Sequence, residues 1–200
     1  IPSTIKIGAR MSNLKDLTWE HHKDAERQQF VKVLLSGKIN HEFYATFLWN
    51  QHKKYDLLEA VAGALGLLDD LPDIRRKQRI EQDFLELWKN DTPPVILNAT
   101  KEYIDHMKSI IQDPDSIMAH VYTYHMGDLS GGQMIKRKVP GKGTMFEFDT
   151  DVPLKEIKDT IRNKTNDDMV EEAQFAFESA TKVFQEMMEL DIEPYLEQTN

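Results

Sequence analysis

The sequence predicts an all-α, single-domain helical bundle, and three observations predict it. Nearly every long segment carries apolar residues at helical spacing. The β-branched alternation that marks strands is rare. The segments are joined mostly by short breaks built from Gly, Pro, Asn and Asp, with no internal repeat and no low-complexity linker.

Each element follows from its own signals. Ser12 or Asn13 supplies an N-cap for a first helix running to about Gln28. Phe30 to Leu35 is a short helix closed by Ser36-Gly37. Asn40 caps a long helix that reaches Leu65 or Gly66, and Leu67 to Pro72 is a loop. Asp73 to Lys89 is amphipathic, with Ile80, Phe84, Leu87 and Trp88 on one stripe. Pro93-Pro94 breaks the chain before a helix from Ala99 to Ile111. Asp113-Pro114 opens a helical segment that carries glycines and extends to about Lys138. Val139 to Thr150 is irregular, Val152-Pro153 opens a helix to about Lys164, and Asp167 caps a last helix to Leu190. Residues 1–11 read as a disordered or vector-derived lead-in, 12–192 as the helical domain and 193–200 as a frayed tail.

Composition narrows the function classes. The absence of cysteine excludes disulfides, thiolate metal sites and cysteine nucleophiles, and fits a reducing compartment. A net charge of -9 argues against non-specific binding to nucleic acid or anionic membrane. No apolar run approaches the length of a membrane span, and Ile1 to Arg10 lacks the apolar core of a secretory signal. The expectation is a soluble, cytoplasmic monomer.

The stretch Gly127-Asp128-Leu129-Ser130-Gly131-Gly132-Gln133 stands out. Three glycines inside a helical segment cost roughly 1 kcal/mol each relative to alanine. That cost is tolerated where something must approach the backbone or the helix must bend. Leu129 to Gln133 reproduces the LSGGQ motif of ABC transporter ATPases, but the chain has no G-x-x-x-x-G-K-[ST] loop to hold phosphates and no alternation of strands and helices. The ATPase reading is rejected.

Seven histidines are present, with no H-E-x-x-H motif and no pair of E-x-x-H motifs, so spacing offers no multi-ligand metal cage. One axial histidine on a haem iron needs no such pattern. His22 is the candidate, because Glu26 one turn on can hold its Nδ1–H and leave Nε2 for iron, while small Ala25 lets a flat ring approach. Lys15, two turns upstream, reaches toward an acidic edge of the same ligand. The alternative is that His21 and His22 are ordinary surface residues.

Together these residues resemble a known family. Tyr122-Thr123-x-x-x-Gly127-Asp128-Leu129-Ser130-Gly131-Gly132-Gln133 is similar to the distal motif of the haem oxygenases, and His22-x-x-Ala25-Glu26 resembles their proximal motif. A weaker resemblance runs from about Leu14 to Leu190. It implies haem b, at once cofactor and substrate, held between a proximal and a distal helix, with His22 as the iron ligand. It further implies that Lys15, Tyr122, Lys158 and Arg162 face the propionates, and that Ala25, Glu26, Ser130 and Phe177 line the site. Gly127 and Gly131 let the distal backbone lie close over the ring, and Asp128 organises proton delivery. Read singly, Lys158 and Arg162 are equally a solvated helix face, Phe177 a core residue and Tyr122 a half-buried helix tyrosine.

The implied activity is cleavage of haem by O2 to biliverdin, CO and ferrous iron. No flavin or nicotinamide motif is present, so electrons come from outside. The chain resembles the soluble bacterial, algal or phage type, which implies ferredoxin as donor and a bilin reductase as a possible downstream partner. Lys136, Arg137, Lys138 and Lys142 form a basic cluster for an acidic donor, or they complement a helix C-terminus. Two departures stand out. Tyr124 and His125 occupy positions where animal relatives carry arginine and tyrosine, and the motif does not place the family's tyrosine within the helix beginning at Asn40. The alternative function is a non-catalytic haem-binding or sensor protein, which has no need of Asp128.

Overall fold

A computed structural model describes residues 12–191, so the expected lead-in and tail lie outside the described residues. Among those described, there are helices and no strands. In chain order they are α1 (Leu14–Leu17), α2 (Trp19–Glu26), α3 (Gln29–Leu35), α4 (His41–Ala64), α5 (Lys77–Leu87), α6 (Asn98–Ser109), α7 (Pro114–Leu129), α8 (Gly132–Lys136), α9 (Leu154–Asn163) and α10 (Val170–Glu189). Short 3₁₀ turns at Thr144–Phe146 and Asp167–Met169 precede α9 and α10.

Three helices form the centre. α4 packs against α5, α6 and α7, while α10 lies across α2, α3, α6 and α7. α7 is buried on nearly all sides up to Leu129, which is why its sequence shows no clean amphipathic stripe. Phe30 anchors the α3 side of the core, edge-on to Phe43 at 5.5 Å and tilted against Phe47 at 4.9 Å. The caps form as the residue types require. Asn40 Oδ1 accepts from the Phe43 amide at 2.9 Å, and Asp113 accepts from Asp115 and Ser116 ahead of Pro114.

Four boundaries differ from the sequence expectation, each for a local reason. The first helix is interrupted at Thr18, whose hydroxyl donates to the Leu14 carbonyl at 2.7 Å, a back-bond that bends helices. α5 starts at Lys77 rather than Asp73, because the preceding turn buries Arg76 completely. Its guanidinium donates to carbonyls of Asp73, Ile74, Met145 and Glu147, and Asp73 takes φ 53° to make the turn. The glycine-bearing segment does not run through to Lys138. It stops at Leu129, turns at Ser130 (φ −112°, ψ −91°) and resumes as α8. The last helix begins at Val170 without a side-chain cap, after a 3₁₀ turn that Asn166 caps; Asp167 instead accepts the Asn13 amide at 2.7 Å and ties α1 to the C-terminal half.

Asn50 is a buried crosslink within this frame. Its Oδ1 accepts from the Leu97 amide at 2.9 Å and the Thr100 hydroxyl at 2.8 Å, and its Nδ2 donates to the carbonyls of Thr46 and Val95. Asn50→Ala strands a buried amide and a buried hydroxyl. We expect it to cost about 2–4 kcal/mol, read as a lower urea midpoint with unchanged slope. A loss below about 0.5 kcal/mol, the level of ordinary surface substitutions, would remove this crosslink from the account.

Candidate functional site

α10 packs on both α2 and α7 and so joins the two helices. On α2, His22 stacks on Phe177 of α10 at 5.5 Å with 22° between the rings, and tilts toward Trp19 at 5.6 Å. Ala25, one turn on, is buried. Glu26 does hold His22, but through Nε2, at 2.6 Å, and not through Nδ1 as expected. Nε2 lies farther from the backbone than Nδ1, and a carboxylate on two methylenes at i+4 meets it first. Ligation of a metal by Nε2 therefore requires the imidazole to turn off Glu26.

The glycines of the α7–α8 turn divide into two kinds. A Cβ built on Gly127 meets nothing within 4 Å, and one on Gly131 meets only the Gly127 carbonyl at 4.0 Å. Their faces are open. Gly132 is different: its Cβ would lie 2.6 Å from Phe146 Cδ1, so glycine is needed there for packing. The turn is braced by Gln133, whose Nε2 donates to the carbonyls of Asp128 and Phe146. Ser130 is exposed at the turn.

Asp128 is buried beside this open backbone, and Tyr55 of α4 donates to its Oδ2 at 2.7 Å. Burial pushes the Asp128 pKa up to about 7, against the opposing pull of His125, the Tyr55 bond and Arg76. A carboxyl so placed exists in both protonation states near neutral pH. The motif did not single out Tyr55, and the sequence carries no local signal for it, because its partner lies on α7. Glu59 accepts from the amides of Arg76 and Lys77 and pairs with His125 Nε2 at 2.8 Å. Burial pushes the Glu59 pKa up, but the His125 pair and the two amides outweigh it and hold it below the ordinary value. His125 and Tyr124 are thus wired separately. His125 pairs with Glu59, and the Tyr124 hydroxyl donates to the Ala176 carbonyl at 3.1 Å.

The expected propionate group is placed in part. Tyr122 is buried, hydrogen-bonded with Thr18 and within the field of Arg162. Arg162 is exposed on α9 and paired with Asp159 at 3.1 Å; Lys158 is half-buried one turn before it. Lys15 is exposed on α1. Tyr122, Thr18 and Arg162 are brought together at one edge, and Lys15 meets this group through its backbone, its carbonyl accepting from the Thr18 hydroxyl at 3.5 Å. Among the described residues, no helix is long and apolar enough to cross a membrane.

Comparison with known proteins bears on this arrangement directly. Residues 10–186 match the family model described as Heme oxygenase. The chain is 32% identical to Heme oxygenase 2 of Rattus norvegicus over 87% of its own length and 64% of that protein's. It is 30% identical to Heme oxygenase 1 of Synechocystis over 88% and 83% respectively. It thus spans somewhat less than two thirds of the rat relative and most of the cyanobacterial one. In three dimensions it is similar to the crystal structure of the Synechocystis heme oxygenase-1 in complex with heme, with a TM-score of 0.77, 27% identity and 95% of both chains covered. The family match spans both the histidine-bearing helix α2 and the glycine turn after α7, the two walls described above; the chain belongs to the haem oxygenase family.

Proposed function

We propose that this chain degrades haem oxidatively to biliverdin, CO and ferrous iron. The observation that carries the reading is the open backbone face at Gly127 and Gly131 beside a buried carboxyl, Asp128, with His22 on a helix that packs on the same α10. A flat apolar ring fits between these walls, since no Cβ intervenes on one side and small, buried Ala25 adjoins the histidine on the other. Bound haem supplies the iron centre that activates O2 and the porphyrin that is cleaved. The chain's residues do the rest. His22 holds the iron once its imidazole leaves Glu26, and Glu26 remains within reach to orient it. Tyr122, Lys158 and Arg162, with Lys15 reaching in from α1, hold the propionates and so set the ring's rotation in the site. Ser130 lies at the distal turn. The close glycine backbone leaves no place on the distal side for a bulky acid–base side chain. Asp128 Oδ, oriented by Tyr55, holds and passes a proton next to where O2 reacts.

The deciding experiment is turnover of haem-loaded protein with O2 and a chemical or protein reductant. Loss of the Soret band with appearance of bilin absorption, and biliverdin on chromatography, is the expected result. A stable oxygenated haem spectrum would identify a binder or sensor instead.

Electrons come from a separate donor, for which we propose a ferredoxin. Arg137, Lys138 and Lys142 are exposed and Met134 is exposed among them, while Lys136 is paired with Glu147. The donor surface is therefore centred on Arg137, Lys138 and Lys142. Reversing Arg137 and Lys138 to glutamate is expected to lower ferredoxin-driven turnover about tenfold at low salt and to flatten its ionic-strength dependence. An unchanged rate and salt slope would move the docking surface elsewhere.

A further inference from the structure

Helices α6, α7 and α10 bring together three residues that no spacing in the sequence connects. His106 of α6, His120 of α7 and Glu172 of α10 offer ligand atoms all within 4.8 Å of one another. Both imidazoles converge on one carboxylate oxygen, with His106 Nε2 at 2.9 Å and His120 Nε2 at 2.8 Å from Glu172 Oε2. Two imidazoles and a carboxylate, without thiolate, are the donor set of a three-ligand zinc site with an open fourth position.

The surroundings suit that use. His120 is fully buried, and its other nitrogen, Nδ1, lies 3.0 Å from the Tyr103 hydroxyl, the outer partner that fixes a ligating imidazole. His106 stacks on Phe175 at 3.8 Å, which holds its ring plane. The side chains of His106 and Glu172 remain 25% and 23% exposed, so an ion reaches the group from solvent. Bonds of about 2.0–2.2 Å at tetrahedral angles put neighbouring donor atoms roughly 3.3 Å apart. The two histidine–carboxylate pairs, at 2.9 and 2.8 Å, must open by about half an ångström, and all three donor atoms already lie within 4.8 Å of one another.

We propose that His106, His120 and Glu172 bind one Zn²⁺ or similar divalent cation, separate from the haem iron, and that this ion pins α6, α7 and α10 together. On binding, each Nε2 proton leaves to solvent and Nδ1 takes one up from solvent, so each imidazole stays neutral as its Nδ1–H tautomer; His120 then donates to the Tyr103 oxygen, whose hydroxyl turns to accept. The site lies on α7 about two turns before Asp128, so it steadies the helix that carries the distal carboxyl.

The test uses haem-free protein of the full chain. Zn²⁺ is titrated against a chromophoric chelator, and Co²⁺ is added to read the visible bands of tetrahedral coordination. One equivalent is expected to bind and to raise the melting temperature. His106→Gln discriminates, because its amide still donates to Glu172 but offers no imidazole. It is expected to keep the metal-free melting temperature and to lose at least about 100-fold in zinc affinity. Glu172→Gln is expected to lose a similar factor, and His21→Ala to lose none. Absence of stoichiometric binding, zinc affinity undiminished in His106→Gln, or loss of the cobalt bands in His21→Ala would each overturn the site and leave the three residues as a hydrogen-bonded network.

Discussion

Replacing His22 by alanine should weaken haem binding at least about 100-fold, roughly 2.7 kcal/mol, and abolish the spectrum of a histidine-ligated ferric haem. Added imidazole should restore that spectrum, because it takes the place of the lost ring beside Phe177. His22 is half-exposed, with one hydrogen bond to Glu26 and ring contacts to Trp19 and Phe177, so the substitution leaves the fold intact and its effect is read on the ligand. Glu26→Gln should have a smaller effect, of the order of tenfold, since it alters how the ring is oriented rather than removing it. An unchanged spectrum in the alanine variant would assign the iron to another residue. His21 is then first in line, although it is already paired with Glu178 at 3.1 Å.

Asp128→Asn should lower biliverdin formation by about 10²–10³-fold, the range of a lost general acid–base group, with haem affinity changed less than about threefold. Stability should move the opposite way with pH. Burial raises the folded-state pKa of Asp128 from 3.8 to about 7, so its contribution to stability is fully present below about pH 4 and is lost as pH rises through 7. Asparagine carries no such penalty. The variant should therefore gain on the parent by a few kcal/mol between pH 4 and pH 8, measured by denaturant unfolding at both values. Tyr55→Phe removes the 2.7 Å bond that favours the carboxylate and should raise the Asp128 pKa further, shifting the pH–rate profile upward. Normal turnover in Asp128→Asn, or a stability difference independent of pH, would take the proton-transfer role from this carboxyl.

The helices were legible in the sequence because their signals are local. Asn40 and Asp113 cap where they were expected to, and α4 and α10 follow their apolar spacing to within about two residues. Two of the misplaced boundaries depend on distant partners. Arg76 delays α5 because carbonyls of the 145–147 segment receive its guanidinium, and Asp167 leaves its cap position to hold Asn13. Tyr55 could not be singled out from α4, because what marks it is Asp128 on another helix.

The glycine turn shows the same division. The pattern Gly127-Asp128-x-x-Gly131-Gly132 announces a close approach to backbone, but not what approaches. Only the packed structure separates Gly132, filled against Phe146, from Gly127 and Gly131, which face open space. By itself the sequence determined the all-α fold and the family, since periodicity, caps and motifs are written in neighbouring residues. The tertiary structure decided which nitrogen of His22 meets Glu26, which tyrosine holds Asp128, and that His106, His120 and Glu172 meet at all. Those contacts join residues on different helices or depend on side-chain rotation, and their positions are set by how the helices pack, which chain order does not encode.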